Sequence, residues 1–323
     1  MSQGAKKFWR AWDKFGVFAI LIVIAVVFAI LNPAIIQFDQ ILDVLSRSAL
    51  IGVAAAGMMF AICSGGFDLS VGSILSLTTC VIAVTISKNN MPVWLAIVIA
   101  LVIGCLCGVI NGLLITKLKI QPFVATLATQ LAFLGVALVY SDGSRVTISG
   151  GAGDAIKALS TSKIGPFQIQ IFLLLLVYVI VYLVYKFTPF GVKTRAVGSN
   201  EAATRTTGIK VDKTLIIIYV ITGLTAACAG VIQTSRLATG SATLGNGFEL
   251  DAITAVILGG TSLAGGKGNV WGTLIGAIIL TFVRSGLNML GVGEAYQKLA
   301  IAIILLFALA ISGIKLITQK EGK

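Results

Sequence analysis

Few residues in this chain are equipped for chemistry. Histidine is absent, which removes the usual general base and metal ligand and every Ser-His-Asp or Cys-His arrangement. The five cysteines, Cys63, Cys80, Cys105, Cys107 and Cys228, all fall in apolar runs. Their odd number gives no disulfide framework, and Cys105-x-Cys107 has the wrong spacing for a CxxC site, so they read as small packing residues. Gly260 to Lys267 superficially follows a phosphate loop. However, Thr261 stands where that pattern requires glycine, and Gly268 stands where it requires a magnesium-binding hydroxyl. The reading is of a chain with no catalytic residue, no metal site and no cofactor of its own. If ATP drives it, ATP and magnesium sit on a partner ATPase.

What remains is a short set of polar groups in or beside apolar sequence. Asp68 follows Gly65-Gly66-Phe67 and precedes Leu69-Ser70, which suits either an N-cap for the next helix or a pathway contact at a broken helix. Glu249 and Asp251 open another apolar run, as helix-start acids, as a polar lining or as a docking contact for a partner. Asn111, Gln130 and Gln233 suit hydrogen bonds between helices better than contact with a ligand. Arg284 and Asn288 lie near an outer end, where snorkelling suffices. This scarcity of buried charge argues against a proton- or sodium-coupled carrier, which needs carboxylates or histidines to exchange its ion.

The elements that must position these groups are set by hydropathy. The chain of 323 residues is 57% hydrophobic and 11% charged, with a mean hydropathy of +1.02, where a soluble domain carries about 25% charged residues. Such a chain is an integral membrane protein, expected as an all-α polytopic helical bundle. Ten apolar runs have the rough length of spans: 16–32, 46–63, 70–87, 92–116, 122–141, 165–187, 214–234, 249–264, 269–288 and 295–314. The eighth is short and opens on acids. With the N-terminus inside and the runs alternating, about two-thirds of the 24 basic residues fall on the cytoplasmic side, the bias of the positive-inside rule. The strongest clusters are Lys6 to Lys14 and Lys186 to Lys213. Both termini are therefore expected in the cytoplasm, and the net charge of +12 reads as a topology signal and not as a nucleic-acid patch. The first run reads as a retained anchor with Phe8, Trp9 and Trp12 at the interface.

Glycines mark two further features. Gly104, Gly108 and Gly112 form overlapping GxxxG steps, and Gly272 and Gly276 another, each allowing close helix contact within the chain or with a second copy. The segments 65–72 and 259–266 share a GG-x-x-L-x-x-G pattern. Alternation puts both on one side, which does not suit an inverted repeat.

The loop 186–213 is the most informative polar stretch. Asn200 can cap a short helix, with Glu201 at its positive end, Arg205 four residues on, and Gly208 as its stop. Spacing alone gives a juxtamembrane amphipathic helix that lies on anionic lipid.

Glu201-Ala202-Ala203 with Gly208 five positions on resembles the EAA coupling loop of bacterial ABC importer permeases. Ser64-Gly65-Gly66-Phe67-Asp68-Leu69-Ser70-Val71-Gly72-Ser73, Asn111-Gly112-Leu113-Leu114 running to Pro122-Phe123-Val124-Ala125-Thr126-Leu127, Gly247-Phe248-Glu249-Leu250-Asp251-Ala252-Ile253 and Leu258 to Gly268 narrow this further. In order, over about residues 40 to 312, they resemble the permeases of the ribose, galactose and xylose importers, with the ribose branch nearest. Phe67 departs from the isoleucine usual there, and Ser285-Gly286 from asparagine-glycine. The resemblance implies one permease domain over 1–323 with 186–213 as a cytoplasmic coupling loop. It also implies a homodimer in the bacterial inner membrane, two ATP-binding cassettes docked inside and a periplasmic sugar-binding protein docked outside. Gly198, Asn200, Glu201, Ala202, Ala203, Arg205 and Gly208 would then couple to the ATPase, and Asp68, Asn111, Gln130, Glu249 and Asp251 are candidates for the gate or pathway. The function expected is conformational translocation of a monosaccharide, ribose or a similar sugar. The alternatives are an ion-coupled secondary transporter relying on Asp68 or Glu249, and the same machine carrying a hexose, a polyol or a nucleoside.

Overall fold

The computed structural model describes residues 3–320, without the side chains of residues 1–15, 308, 309 and 311–320. The anchors expected at Phe8, Trp9 and Trp12 lie outside the described side chains. The described residues fold as thirteen α-helices. They are α1 (Gln3–Leu31), α2 (Phe38–Cys63), α3 (Val71–Ser87), α4 (Val93–Thr116), α5 (Pro122–Tyr140), α6 (Gly150–Thr161) and α7 (Ile169–Phe187). Then follow α8 (Pro189–Ser199), α9 (Glu201–Thr206), α10 (Val211–Leu237), α11 (Phe248–Leu258), α12 (Val270–Met289) and α13 (Glu294–Lys320). Two-residue strands β1 (Val146–Thr147), β2 (Lys163–Ile164), β3 (Phe167–Gln168) and β4 (Thr239–Gly240) make two antiparallel pairs, β1 with β4 and β2 with β3.

Every one of the ten apolar runs falls on a helix, and six helices among the described residues are long and apolar enough to cross a membrane. The protein is an all-α polytopic membrane protein. Its layers follow from sequence: the most apolar window of α2 is 83% buried and that of α4 only 28%. α2 and α3 carry small and β-branched residues on all sides and form the centre, whereas α4, α5 and α7 expose Leu, Ile, Val and Phe outward, as lipid requires.

The GxxxG face of α4 meets α10 of the same chain. A Cβ on Gly104 would lie 2.7 Å from the Gly223 carbonyl, one on Gly108 2.2 Å from the Tyr219 carbonyl, and one on Gly112 2.8 Å from Ile216 Cα. The two backbones touch because nothing stands between them. Gly272 and Gly276 lie likewise against the carbonyls of Gly259 and Ala255, so α12 rests on α11.

The eighth run departs from expectation. Its helix has 11 residues, about 16 Å at 1.5 Å per residue, against an apolar layer of about 30 Å. Residues 238–247 precede it as a non-helical segment, the short strand β4 followed by turns over 242–247, which runs antiparallel to α3, where serine and threonine serve the bare backbone. Ser76 Oγ accepts from Gly245 N (2.8 Å), and Thr79 Oγ1 accepts from Ser241 N (3.3 Å) and donates to Ser241 O (3.3 Å). Irregular backbone at such depth is tolerated only where protein covers it.

The two GG-x-x-L-x-x-G segments both end a helix, but not in the same register. After α2 the left-handed residue is Gly65 (φ 87°), the first of its pair; after α11 it is Gly260 (φ 84°), the second. Each is followed by a Schellman closure, Gly66 N to Ala61 O and Thr261 N to Val256 O. The shared pattern thus reflects the demands of helix termination at each site.

Candidate functional site

One end of the bundle gathers the loops that alternation assigns to a single side. Gly266 N donates to Cys63 O (2.8 Å), a Cβ on Gly66 would stand 3.3 Å from Pro122, and Lys119 Nζ reaches Asp212 Oδ1 at 3.6 Å. The 186–213 loop lies here as two helices and not one. Pro189 starts α8 at a position where its missing N–H is harmless. Gly191, Thr194 and Val197 turn inward along its buried face. Gly198 therefore belongs to α8, seated on the end of α2. Asn200 (φ −164°, ψ 102°) is the elbow and the N-cap of α9, its Oδ1 accepting from Ala203 N at 2.9 Å.

α9 projects. Glu201, Ala202, Ala203 and Arg205 are exposed, and only Thr204 turns inward. Arg205 Nη2 donates to Glu201 Oε1 (2.8 Å) and, across the Gly208 turn (φ 80°), to Asp212 Oδ1 (2.7 Å). These bonds, to Glu201 first and Asp212 second, push the Arg205 guanidinium above its ordinary value, so it stays charged. Helical i, i+4 spacing predicts the Glu201–Arg205 pair but not Asp212 or Lys119, which lie beyond it. Arg195 of α8 stacks on the Tyr185 ring (4.9 Å) and donates to the Tyr185 carbonyl, and Tyr185 Oη accepts from Gly268 N (2.7 Å). The elbow is thus held to α2, α7 and the 259–268 loop, while its tip is free of the core.

Deeper in the bundle, Asp68 is fully buried. It accepts from Ser70 N (3.0 Å), Ser70 Oγ (2.6 Å), Thr222 Oγ1 (2.7 Å) and, at 3.4 Å, Asn111 Nδ2. Asn111 also donates to Ser70 Oγ (2.8 Å) and accepts from Thr129 Oγ1 (2.6 Å). One carboxylate thus joins the start of α3 to α4, α5 and α10. Ser70 is the cap residue of α3, and Asp68 serves its N–H from two positions back. Thr222 and Thr129 sit mid-helix with no motif to mark them, so sequence reading missed both.

Glu249 and Asp251 separate. Glu249, at the start of α11, accepts from Gln130 Nε2 of α5 (3.2 Å), and its other oxygen is buried beside Gly72 without a partner among the described residues. The helix starts of α3 and α11 therefore meet at Gly72. Asp251 instead accepts from Arg284 Nη2 of α12 (2.6 Å) inside the bundle. Arg284 is thus an ion-pair partner, and its snorkelling expectation is replaced. Asn288 Oδ1 accepts from Gln297 Nε2 (2.7 Å).

A broken-helix core beside a projecting capped helix is the layout of a transport subunit, and comparison with known proteins agrees. The family model described as branched-chain amino acid transport system / permease component matches residues 40–309. The ribose import permease protein RbsC of Bacillus subtilis (strain 168) is 43% identical over 92% of this chain and 91% of its own. RbsC of Haemophilus influenzae is 40% identical over 90% of each chain, and the D-allose transport system permease protein AlsC of Escherichia coli (strain K12) is 33% identical over 93% and 91%. No solved structure matches the chain. The chain belongs to this permease family: it is a multi-pass transport subunit and not an enzyme.

Proposed function

We propose that this chain is the transmembrane permease subunit of an ABC importer that moves a monosaccharide, ribose first, across the bacterial inner membrane into the cytoplasm. The observation that carries the reading is the identity with ribose import permeases over nine-tenths of both chains. The family description names another cargo, so the family alone leaves the substrate open; the relatives at 33–43% identity are named for sugars. The chain acts as one permease domain, 1–323, with ten crossings and both termini inside, the eighth crossing shared between the non-helical 238–247 segment and α11. Two copies form a homodimer with two ATP-binding cassettes, which hold ATP and magnesium, and with a periplasmic sugar-binding protein.

The loaded binding protein docks on the outer loops, notably 142–164. Closure of the cassettes pushes on α9 through Glu201, Ala202, Ala203 and Arg205. Gly198 and Asn200 transmit the push to the end of α2, and Gly208 ends the lever. α2 leads within five residues to Asp68, so movement at the elbow reaches the α3 start, Asn111 and the Gln130–Glu249 contact. Asp251 holds α11 to α12. Gating of this kind needs no catalytic group. The test is affinity capture of the tagged chain from solubilised membranes. A cassette ATPase recovered with wild type and lost with Gly208→Arg is the expected result. The chain recovered alone, yet driving ribose uptake in liposomes under an ion gradient, overturns it.

A further inference from the structure

The end of the bundle opposite α9 carries a cationic cleft, bordered on one side by the last residues of the 142–164 docking stretch, whose guanidiniums the transport reading leaves without a role. It encloses about 460 Å³ between the start of α2, the end of α6, the β2–β3 hairpin, the start of α7 and the end of α10. Its lining holds Arg47, Lys163 and Arg236 against a single carboxylate, Asp43, which is already engaged by Arg47 at 2.7 Å.

Arg236 is the unusual member. It is half-buried, and its guanidinium meets only neutral acceptors: Gln170 Oε1 from Nε (3.0 Å) and Nη2 (2.7 Å), and the Ser46 carbonyl from Nη2 (2.7 Å). Among the described residues no carboxylate pairs with it and Nη1 has no hydrogen-bond partner. A partly desolvated cation ordinarily acquires a counter-charge. Its orientation is fixed, because Gln170 is itself buried and Gln168 Oε1 is taken by Ser46 Oγ. The result is a preoriented guanidinium with an ammonium and a second guanidinium around a space of ligand size.

We propose that this cleft binds a phosphate group, with Arg236 and Lys163 as its principal ligands and Arg47 at its rim. A guanidinium presents planar N–H donors to phosphate oxygens, and a second and third cation compensate the charge that one oxyanion brings. The phosphate has two possible sources, an anionic phospholipid headgroup or a free phosphate. Ile164, Ile169 and Phe172, exposed beside the cleft on β2 and the first turns of α7, offer an apolar surface for acyl chains and favour the lipid.

The test uses the purified full-length chain in detergent and follows its melting temperature. Dioctanoyl phosphatidylglycerol and inorganic phosphate are titrated separately, with dioctanoyl phosphatidylcholine as the zwitterionic control. Wild type is expected to show saturable stabilisation by phosphatidylglycerol, with half-saturation weakened about tenfold in Arg236→Gln and about threefold in Lys163→Gln, a loss typical of one charge-assisted hydrogen bond or less. The same pattern with inorganic phosphate and not with lipid supports the site with the free anion as its source. If Arg236→Gln fails to fold, Lys163→Gln, an exposed side chain, carries the test. Stabilisation by neither probe, or stabilisation unchanged in Lys163→Gln and Arg47→Gln, overturns the proposal. So does a result in which these variants weaken only the binding of the sugar-binding protein.

Discussion

The carbonyl oxygen of Cys63, the last residue of α2, occupies the space that a side chain on Gly198 would need: a Cβ there would lie 1.9 Å from it, and 2.7 Å from Gly266 N. The same carbonyl accepts the Gly266 N–H. Three segments, the end of α8, the end of α2 and the 259–268 loop, therefore meet at one carbonyl. No flexible side chain stands at this junction to absorb an added methyl group.

Gly198→Ala is accordingly expected to force backbone apart at the elbow, at about 1–3 kcal/mol, the usual range for overpacking. Gly198→Val should remove the folded chain from the membrane. The check is the yield and melting temperature of detergent-purified protein. A Gly198→Val chain that melts like wild type would show that the elbow is not seated on α2.

Glu201→Lys separates coupling from folding. Glu201 is exposed, and its pair with Arg205 is a surface ion pair, worth about 0–1 kcal/mol; Arg205 keeps Asp212 after the change. The variant is expected to reach wild-type levels in the membrane, melt within about 1 kcal/mol of wild type, and lose sugar uptake. Measured uptake equal to wild type would remove α9 from the coupling path.

The legibility of these features followed their range in sequence. Apolar runs, the Asn200 cap, the Glu201–Arg205 pair and the GxxxG face of α4 are local patterns, and the structure contains all of them. The partner of that face, α10, lies more than a hundred residues away and carries only Gly223 as a sign. The α8–α9 elbow was hidden because a cap and a stop mark one helix, while α8 announces itself only by Pro189. The eighth run shows its acids and its shortness in the sequence, but buried half-helices and spans are equally apolar, so only the structure shows that its helix is 11 residues long. Thr222, Thr129 and Arg236 matter through contacts that no spacing encodes.

Asp68 distinguishes charge from hydrogen bonding. Its acceptors face Ser70, Asn111 and Thr222, and no cation lies against it among the described residues. Asp68→Asn keeps one acceptor oxygen for Ser70 and should cost about 1 kcal/mol, the net worth of a hydrogen bond. Asp68→Ala strands the buried Ser70 N–H and Asn111 amide and should cost about 3 kcal/mol. Thermal unfolding of the two variants checks the order. Equal losses would mean that the carboxylate charge itself is required.

Asp251 and Arg284 form the inward ion pair of α11 and α12. The Asp251 side chain is 12% exposed and that of Arg284 34%. Removing either partner leaves the other uncompensated, at about 3 kcal/mol, the low end for buried pairs because Arg284 keeps some water. The double variant Asp251→Leu with Arg284→Leu should recover most of that loss, since apolar replacement of such a pair is often neutral. A double-mutant cycle on melting temperatures reads this directly, and strictly additive losses would refute the coupling.

Gln130 and Glu249 present the sharpest question of function. Their 3.2 Å contact joins α5 to the start of α11, at the edge of an apolar face on which Leu127, Leu131 and Leu250 are exposed. The unpartnered oxygen of Glu249 rests against Gly72, the second residue of α3. A group that only tied helices together would affect stability and transport in parallel. A pathway group would affect transport alone, because sugar hydroxyls take over its hydrogen bonds during passage. Gln130→Leu and Glu249→Gln are expected to lower the uptake rate in proteoliposomes about tenfold, the effect of one lost hydrogen bond to a charged group, with melting temperature held. They should also change the ratio of ribose to allose uptake. Uptake and melting temperature falling together, with that ratio fixed, would make the pair a helix clamp and place the path elsewhere.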